Sequence, residues 1–221
     1  MSASSLLSPA QHQGLFTLLQ QNFRVDPAEF VPLHILGMPL GRISRKWQKQ
    51  LHQQASDCFA IYADHIALTA TNGQEAAQML HDTAWSWHQA GLFDGWRNEA
   101  FDLYAPNGSK LLSLERSAFR PFGLTSHAIH INGMLRQSEV LYFWIGTRSP
   151  FKSVDPDKLD NLVGGGIASG ETIYSAALRE GAEEAGLPAA FLHGQTAVDC
   201  CLSQRSVARG LHREYLHIFD L

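Results

Sequence analysis

Cysteine is scarce in this chain: three among 221 residues, at Cys58, Cys200 and Cys201. An odd count with two members adjacent excludes a disulfide framework and any zinc spacing. The thiols are therefore expected to be reduced and mostly buried. Long basic runs are missing too. The 17 Lys and Arg against 21 Asp and Glu leave a net charge of −4. Gripping nucleic-acid phosphates needs clustered cations, so nucleic acid is not an expected partner. No apolar run reaches the roughly 20 residues of a membrane helix, and no membrane partner is expected. The opening "MSASSLLSPAQHQG" lacks the basic start and apolar core of a secretory signal, which points to the cytoplasm. Histidine is plentiful, at eleven, but no pair stands at ligand spacing beside a carboxylate on a convincing helix.

What is present suits a globular protein. Hydrophobic residues make up 45%, so a core is available and disorder is not expected. Ser8-Pro9 opens a helix to about Phe23, with Ser8 as cap. "VPLHILG" reads as a strand and "MPLG" as a turn. "ISRKWQKQLHQQA" is helical, with Ile43, Trp47 and Leu51 on one face. "CFAIYADHIALT" is extended. Asn72-Gly73 starts a long helix that Gly91 stops. "EAFDLYAP" and "KLLSLERSAF" pair as strands around Asn107-Gly108. "SHAIHINGML", "VLYFWIGTR", "AVDCCLSQ" and "REYLHIFDL" are further strands. The character changes near Pro121-Phe122-Gly123. This gives an N-terminal α+β module, 1–118, and a sheet-rich domain with one embedded helix, 119–221.

The embedded helix carries the chemistry. In "GGGIASGETIYSAALREGAEEAGL", Glu180, Glu183 and Glu184 stand at i, i+3 and i+4, so one helix face holds all three carboxylates. Such a cluster raises its own pKa values and destabilises the helix unless something compensates. A solvated acidic face is the bland alternative. A hard divalent cation such as Mg²⁺ is the sharper one, since it binds carboxylate oxygens and bridges to phosphates. Gly186 supplies a left-handed cap, and Glu171 and Arg179 are placed to pair across the loop. A P-loop is excluded because "GGGIASGET" has no lysine, and a dinucleotide fingerprint because its third glycine comes one position late.

The spacing from Gly165 through Glu171, Arg179-Glu180 and Glu183-Glu184 to Gly186-Leu187 resembles the Nudix box. One position departs: Gly181 stands where a larger apolar residue is usual. The resemblance implies an α/β/α sandwich around a mixed sheet, behind the smaller α+β module. It implies hydrolysis of a small-molecule diphosphate, with Glu180, Glu183 and Glu184 holding Mg²⁺ or Mn²⁺. Gly165 and Gly166 would shape the loop, and Arg179, Glu171 and Gly186 would be structural. The general base is Glu183 or a residue of a later loop. Residues 30 to 221, with "GWRNEAFDLY", "ERSAFRPFGLTSHAIHINGML" and "KLDNLVGGGIASGET", also resemble Nudix proteins related to the Nudix part of fungal thiamin pyrophosphokinase fusions. That subgroup implies thiamine diphosphate or its damaged forms as substrate. A general hydrolase of nucleoside diphosphate derivatives and a non-catalytic Nudix-fold binding protein are the rivals.

Arg116 and Arg120 are candidates for phosphate or for the junction of the modules. Lys158 and Asp160 are candidates to face the active site. Trp85, Trp87 and Trp96 have ring-stacking and packing roles open to them, with packing favoured. His127 and His130 point to opposite faces of a strand. Trp96, Phe119 and Phe122 are expected near the junction, with Glu99 or Asp102 facing a cationic thiazolium. The strand to Leu221 has no helix after it. The sandwich is therefore expected to be a shortened form with an exposed apolar face, prone to associate, and a homodimer is an expected form.

Overall fold

The computed structural model describes residues 8–22, 25–54, 57–151 and 156–221. Helix α1 (Pro9–Asn22) starts where the Ser8 hydroxyl accepts from the Gln11 amide at 3.3 Å; Phe23 lies outside the described residues. Strands β1 (Phe30–Ile35) and β2 (Met38–Ser44) form an antiparallel hairpin. Its turn is Leu36-Gly37, with φ of 51° and 78°, so the expected turn at "MPLG" is instead strand. Gly41 sits in that strand because a Cβ there would lie 2.5 Å from the Phe122 carbonyl oxygen. Helix α2 (Arg45–Gln54) begins two residues later than expected, because Ile43 and Ser44 finish β2. Strands β3 (Phe59–Ile61) and β4 (Ile66–Leu68) complete a sheet of order β2-β1-β4-β3.

Helix α3 (Gly73–Gln89) is capped by Asn72, which accepts from the Glu75 amide at 2.9 Å. The Glu75 carboxylate reaches back to the Thr71 amide at 2.7 Å, satisfying a second exposed donor. Strands β5 (Ala100–Tyr104) and β6 (Lys110–Glu115) pair through the Asn107-Gly108 turn. Trp47 and Trp87 are fully buried at the centre of this module's core, with ring centroids 4.5 Å apart. Helix α4 (Phe119–Phe122) ends on left-handed Gly123, and Phe119, Phe122 and Leu124 pack into the same core.

Strand β7 (Ser126–Gln137) is the spine of the second sheet. Its outer half pairs with β8 (Val140–Trp144). The short β9 (Gly146–Thr147) and β10 (Leu159–Asp160) pair apart from it. Then come β11 (Val163–Gly166), α5 (Ile173–Ala185), α6 (Ala189–Leu192), β12 (Asp199–Val207) and β13 (Gly210–Asp220). The order is β11-β7-β13-β12, with β7 and β13 parallel and the other pairs antiparallel: a mixed sheet. Ala176 and Ala177 of α5 are small enough to seat that helix on Ile129, Ile131, Val163 and Phe219. Cys200 and Cys201 are exposed on β12 and Cys58 is half-buried, so the expectation of mostly buried thiols fails. β12 is the last strand of its sheet, and that leaves Cys200 and Cys201 uncovered.

Backbone packs on backbone where α4 and its Gly123 cap lie between the two sheets. A Cβ at Gly123 would lie 2.0 Å from the Arg42 oxygen, and one at Gly210 would lie 2.2 Å from the Arg120 oxygen. Beside them, Trp47 Nε1 donates to the Arg209 carbonyl at 2.7 Å.

Candidate active site

Helix α5 opens on a reciprocal cap: Ser175 N donates to Thr172 Oγ1 at 3.0 Å, and Thr172 N donates to Ser175 Oγ at 2.8 Å. It closes on Gly186 at φ 62°, after which the Leu187 amide donates to the Gly181 carbonyl at 2.9 Å. Glu180, Glu183 and Glu184 are thereby fixed on the last two turns, beside β11. Glu180 lies across Gly165, where a Cβ would be 1.9 Å from its carboxyl carbon, so glycine lets the carboxylate rest in this position.

The compensation that three carboxylates require is Arg179. Its Nε and Nη2 donate to Glu171 at 2.6 and 2.9 Å, and its Nη1 donates to Glu180 at 2.7 Å and to Glu183 at 3.3 Å. Nη2 also donates to the Gly166 carbonyl at 3.1 Å, which ties the loop to the helix. The guanidinium holds Glu171 below the usual carboxylate range. Glu180 is pushed up: burial outweighs Arg179, and Glu184 and Glu183 add repulsion. Glu184 accepts from the Gly164 amide at 3.1 Å.

Among the described residues, no group of three or more His, Cys, Asp or Glu side chains converges closely enough to hold a metal ion. Arg179 draws Glu180 and Glu183 one way and Gly164 holds Glu184 the other. The donor chemistry nonetheless fits a hard divalent cation. All three groups are carboxylates on one helix face, and a cation would offset both the desolvation of the half-buried Glu180 and the repulsion from Glu184 and Glu183.

Residues 126–220 match the family model described as NUDIX domain. Residues 126–220 form a NUDIX domain. Residues 14–126 match a second family model, described as a domain of unknown function, DUF4743. The chain is 32% identical over 164 residues to Nudix hydrolase 24, chloroplastic, of Arabidopsis thaliana, covering 72% of this chain and 45% of the relative. It is 28% identical over 181 residues to Nudix hydrolase 20, chloroplastic, of the same plant, covering 77% and 48%. A Nudix hydrolase of Deinococcus radiodurans is 48% identical over 54 residues, covering 24% of this chain and 31% of its own. The chain spans about half the length of the two Arabidopsis relatives. Among the described residues, no helix is long and apolar enough to cross a membrane.

The NUDIX box loop is clasped by the hairpin β5–β6 of the first module. Gly166 admits Phe101, whose ring would lie 2.3 Å from a Cβ there. Ser169 N donates to the Ala100 carbonyl at 2.7 Å, and Ser113 and Ser169 hydroxyls meet at 3.1 Å. Between hairpin, loop and sheet lies a cavity of about 750 Å³, lined in part by Asp102, Tyr104, Thr125, His127, Glu171, Arg213, Tyr215 and His217.

Several expected residues lie elsewhere. Phe119 and Phe122 are buried in the first core, Trp87 with them, while Trp96 packs on Trp85 and His88. None of these lines the cavity: Phe119 packs on the far side of the hairpin's Phe101, and the tryptophans pack within the first module. Glu99 is held by Arg116 at 2.6 Å, and Asp102 by Lys110 at 2.9 Å, so neither offers a free charge to a cationic ring. Burial raises the Asp102 carboxyl, but Lys110, Ser169, Ser113 and Gly170 outweigh it and hold it low. Arg116 also stacks over Phe101. Arg120 is lowered to about 10, by burial first and by Arg209 next. Asp160 pairs with Arg148, and the Lys158 carbonyl accepts from the Arg148 amide at 2.9 Å. His127 faces the cavity. His130 is on the other face, where a Cβ at Gly164 would lie 3.5 Å from its Nε2. Arg213, Tyr215 and His217 escaped the sequence reading, although their period of two along "REYLHIFDL" places them on one face.

Proposed function

We propose that this protein is a metal-dependent hydrolase of small-molecule diphosphates. The observation that carries this reading is Glu180 seated over Gly165 within the box, with Glu183 and Glu184 one turn on. Glu180, Glu183 and Glu184 would hold the cation. A bound Mg²⁺ or Mn²⁺ supplies charge neutralisation of the diphosphate and a water of lowered pKa. Glu183 has the most exposed carboxylate of those Arg179 contacts, at 60%, and suits the role of general base. Arg179 and Glu171 keep the loop in register, so the Gly164-Gly165-Gly166 backbone stays close to the reacting group.

The finer reading is a thiamine-type diphosphate, intact or damaged. It rests on the sequence resemblance and on the aromatic-walled cavity where the two modules meet. The division near residue 118 belongs to this proposal, with the first module selecting the organic group. The test is phosphate release from thiamine, oxythiamine and adenosine diphosphates, each with Mg²⁺ and with chelator. Metal-dependent turnover of the thiamine compounds is expected. Preference for adenosine diphosphate removes the thiamine reading, and no turnover of any compound removes the hydrolase.

A further inference from the structure

The cavity beside the box loop contains charges that cancel, with one exception. Asp102 is matched by Lys110 and Glu171 by Arg179. Arg213 is not matched: among the described residues its guanidinium donates only to Thr125 Oγ1, at 2.8 Å, and its buried Nε has no partner. Burial depresses its pKa, and Arg42 adds repulsion. A half-buried cation without a carboxylate is costly to keep. Next to it, His127 Nδ1 and His217 Nε2 lie 3.1 Å apart with near-parallel rings, so one imidazole donates to the other. Burial favours the neutral form of both. Tyr104 stands edge-on to His127 and Tyr215 tilts against it.

These groups put a cluster of rings and a cationic donor on the lining of one cavity. We propose that this cavity is the specificity site for the substrate's organic group, and that Arg213 selects an uncharged heteroaromatic ring bearing acceptor atoms on its edge. This rests on the diphosphate hydrolase reading. The aminopyrimidine of thiamine and the adenine ring qualify; a thiazolium cation does not and stays away from Arg213. Reach is adequate: from Ile173 at the cavity wall to Glu180 is seven residues of helix, about 10 Å. A linker and diphosphate cover that distance.

The test compares kcat/KM for thiamine and adenosine diphosphates with that for methyl diphosphate, which has no ring. In Arg213→Gln the preference for a ring-bearing compound should fall about tenfold or more, the scale of a lost charge-assisted hydrogen bond, with the change in KM rather than kcat. Arg213→Lys should recover part of it. Equal losses on ring-bearing and ringless compounds, or an unmoved preference, overturn the assignment. A second measurement needs neither variant nor turnover. Thiamine or adenosine without phosphate, added to the wild-type protein, should shift the imidazole nitrogen resonances of His127 and His217. Resonances that stay put at millimolar ligand overturn the site even if diphosphates are hydrolysed. Shifted resonances in a protein that hydrolyses no diphosphate keep the ring site and remove the hydrolase.

Discussion

Replacing Arg179 by alanine should turn the glutamate face from a satisfied network into a repulsive one, with a pH signature. The guanidinium serves Glu171 twice, Glu180 and Glu183 once each, and the Gly166 carbonyl. Breaking a fully buried pair costs about 3–5 kcal/mol, and an exposed one about 0–1 kcal/mol. Arg179 is 33% exposed and Glu180 14%, so the loss falls between, about 2–3 kcal/mol at pH 7. For a chain of this length that lowers Tm by about 5–10 °C. The sign with pH follows from the two glutamates. In the wild type Glu171 titrates below its unfolded value, so its contribution is present at neutral pH and is lost only as pH falls through that depressed value. Glu180 titrates above its unfolded value, so its ionised form costs stability and acid relieves that cost. Without Arg179 both carboxyls move up, and the variant regains stability as pH falls from 7 towards 4.5. His127 and His217 lose stability on acidification in both proteins and cancel in the difference. Thermal melts in chelator, followed by tryptophan fluorescence, should show a gap that narrows on acidification. A gap of the same size at both pH values, or under about 2 °C at pH 7, would refute the network.

Two further predictions use the same helix. Glu184→Gln keeps an acceptor for the Gly164 amide, so its melting should match the wild type while metal-dependent phosphate release drops at least the roughly 10–100-fold that losing even an outer metal contact costs; near wild-type turnover would contradict its role. Gly181→Ala should stabilise, because the added Cβ meets Leu192, Leu187 and Ile131 at ordinary distances of 3.4–3.7 Å. The gain is about 0.5–1 kcal/mol from the helix interior, read as a rise in Tm, and a fall would mean the site is tighter than it stands.

The box was legible because its chemistry is local. Cap, carboxylate face, arginine and terminal glycine all lie within one loop and one helix. Asn72 and the Asn107-Gly108 turn were legible for the same reason. The turn at Leu36-Gly37 was not, because a leucine at positive φ has no compositional mark, while Pro39 and Gly41 look like a turn and are strand. Gly41 and Gly166 are there for partners more than sixty residues away, Phe122 and Phe101, and no window of sequence contains both ends of such a contact. The cavity has the same origin. Arg213 comes within reach of Thr125 only because β13 lies alongside β7.

The backbone seam through α4 bears on motion. Packed elements slide past one another when interlocking side chains can change rotamer, and domains hinge where loops absorb dihedral change. At Gly41, Gly123 and Gly210 no side chain separates α4 and its cap from β2 on one side and β13 on the other, and the Trp47 indole pins the Arg209 carbonyl beside them. That contact has no rotamers to exchange. The modules are therefore held as one block at this end, and the β5–β6 tip around Gly108 is a part of the cavity rim that the seam does not hold.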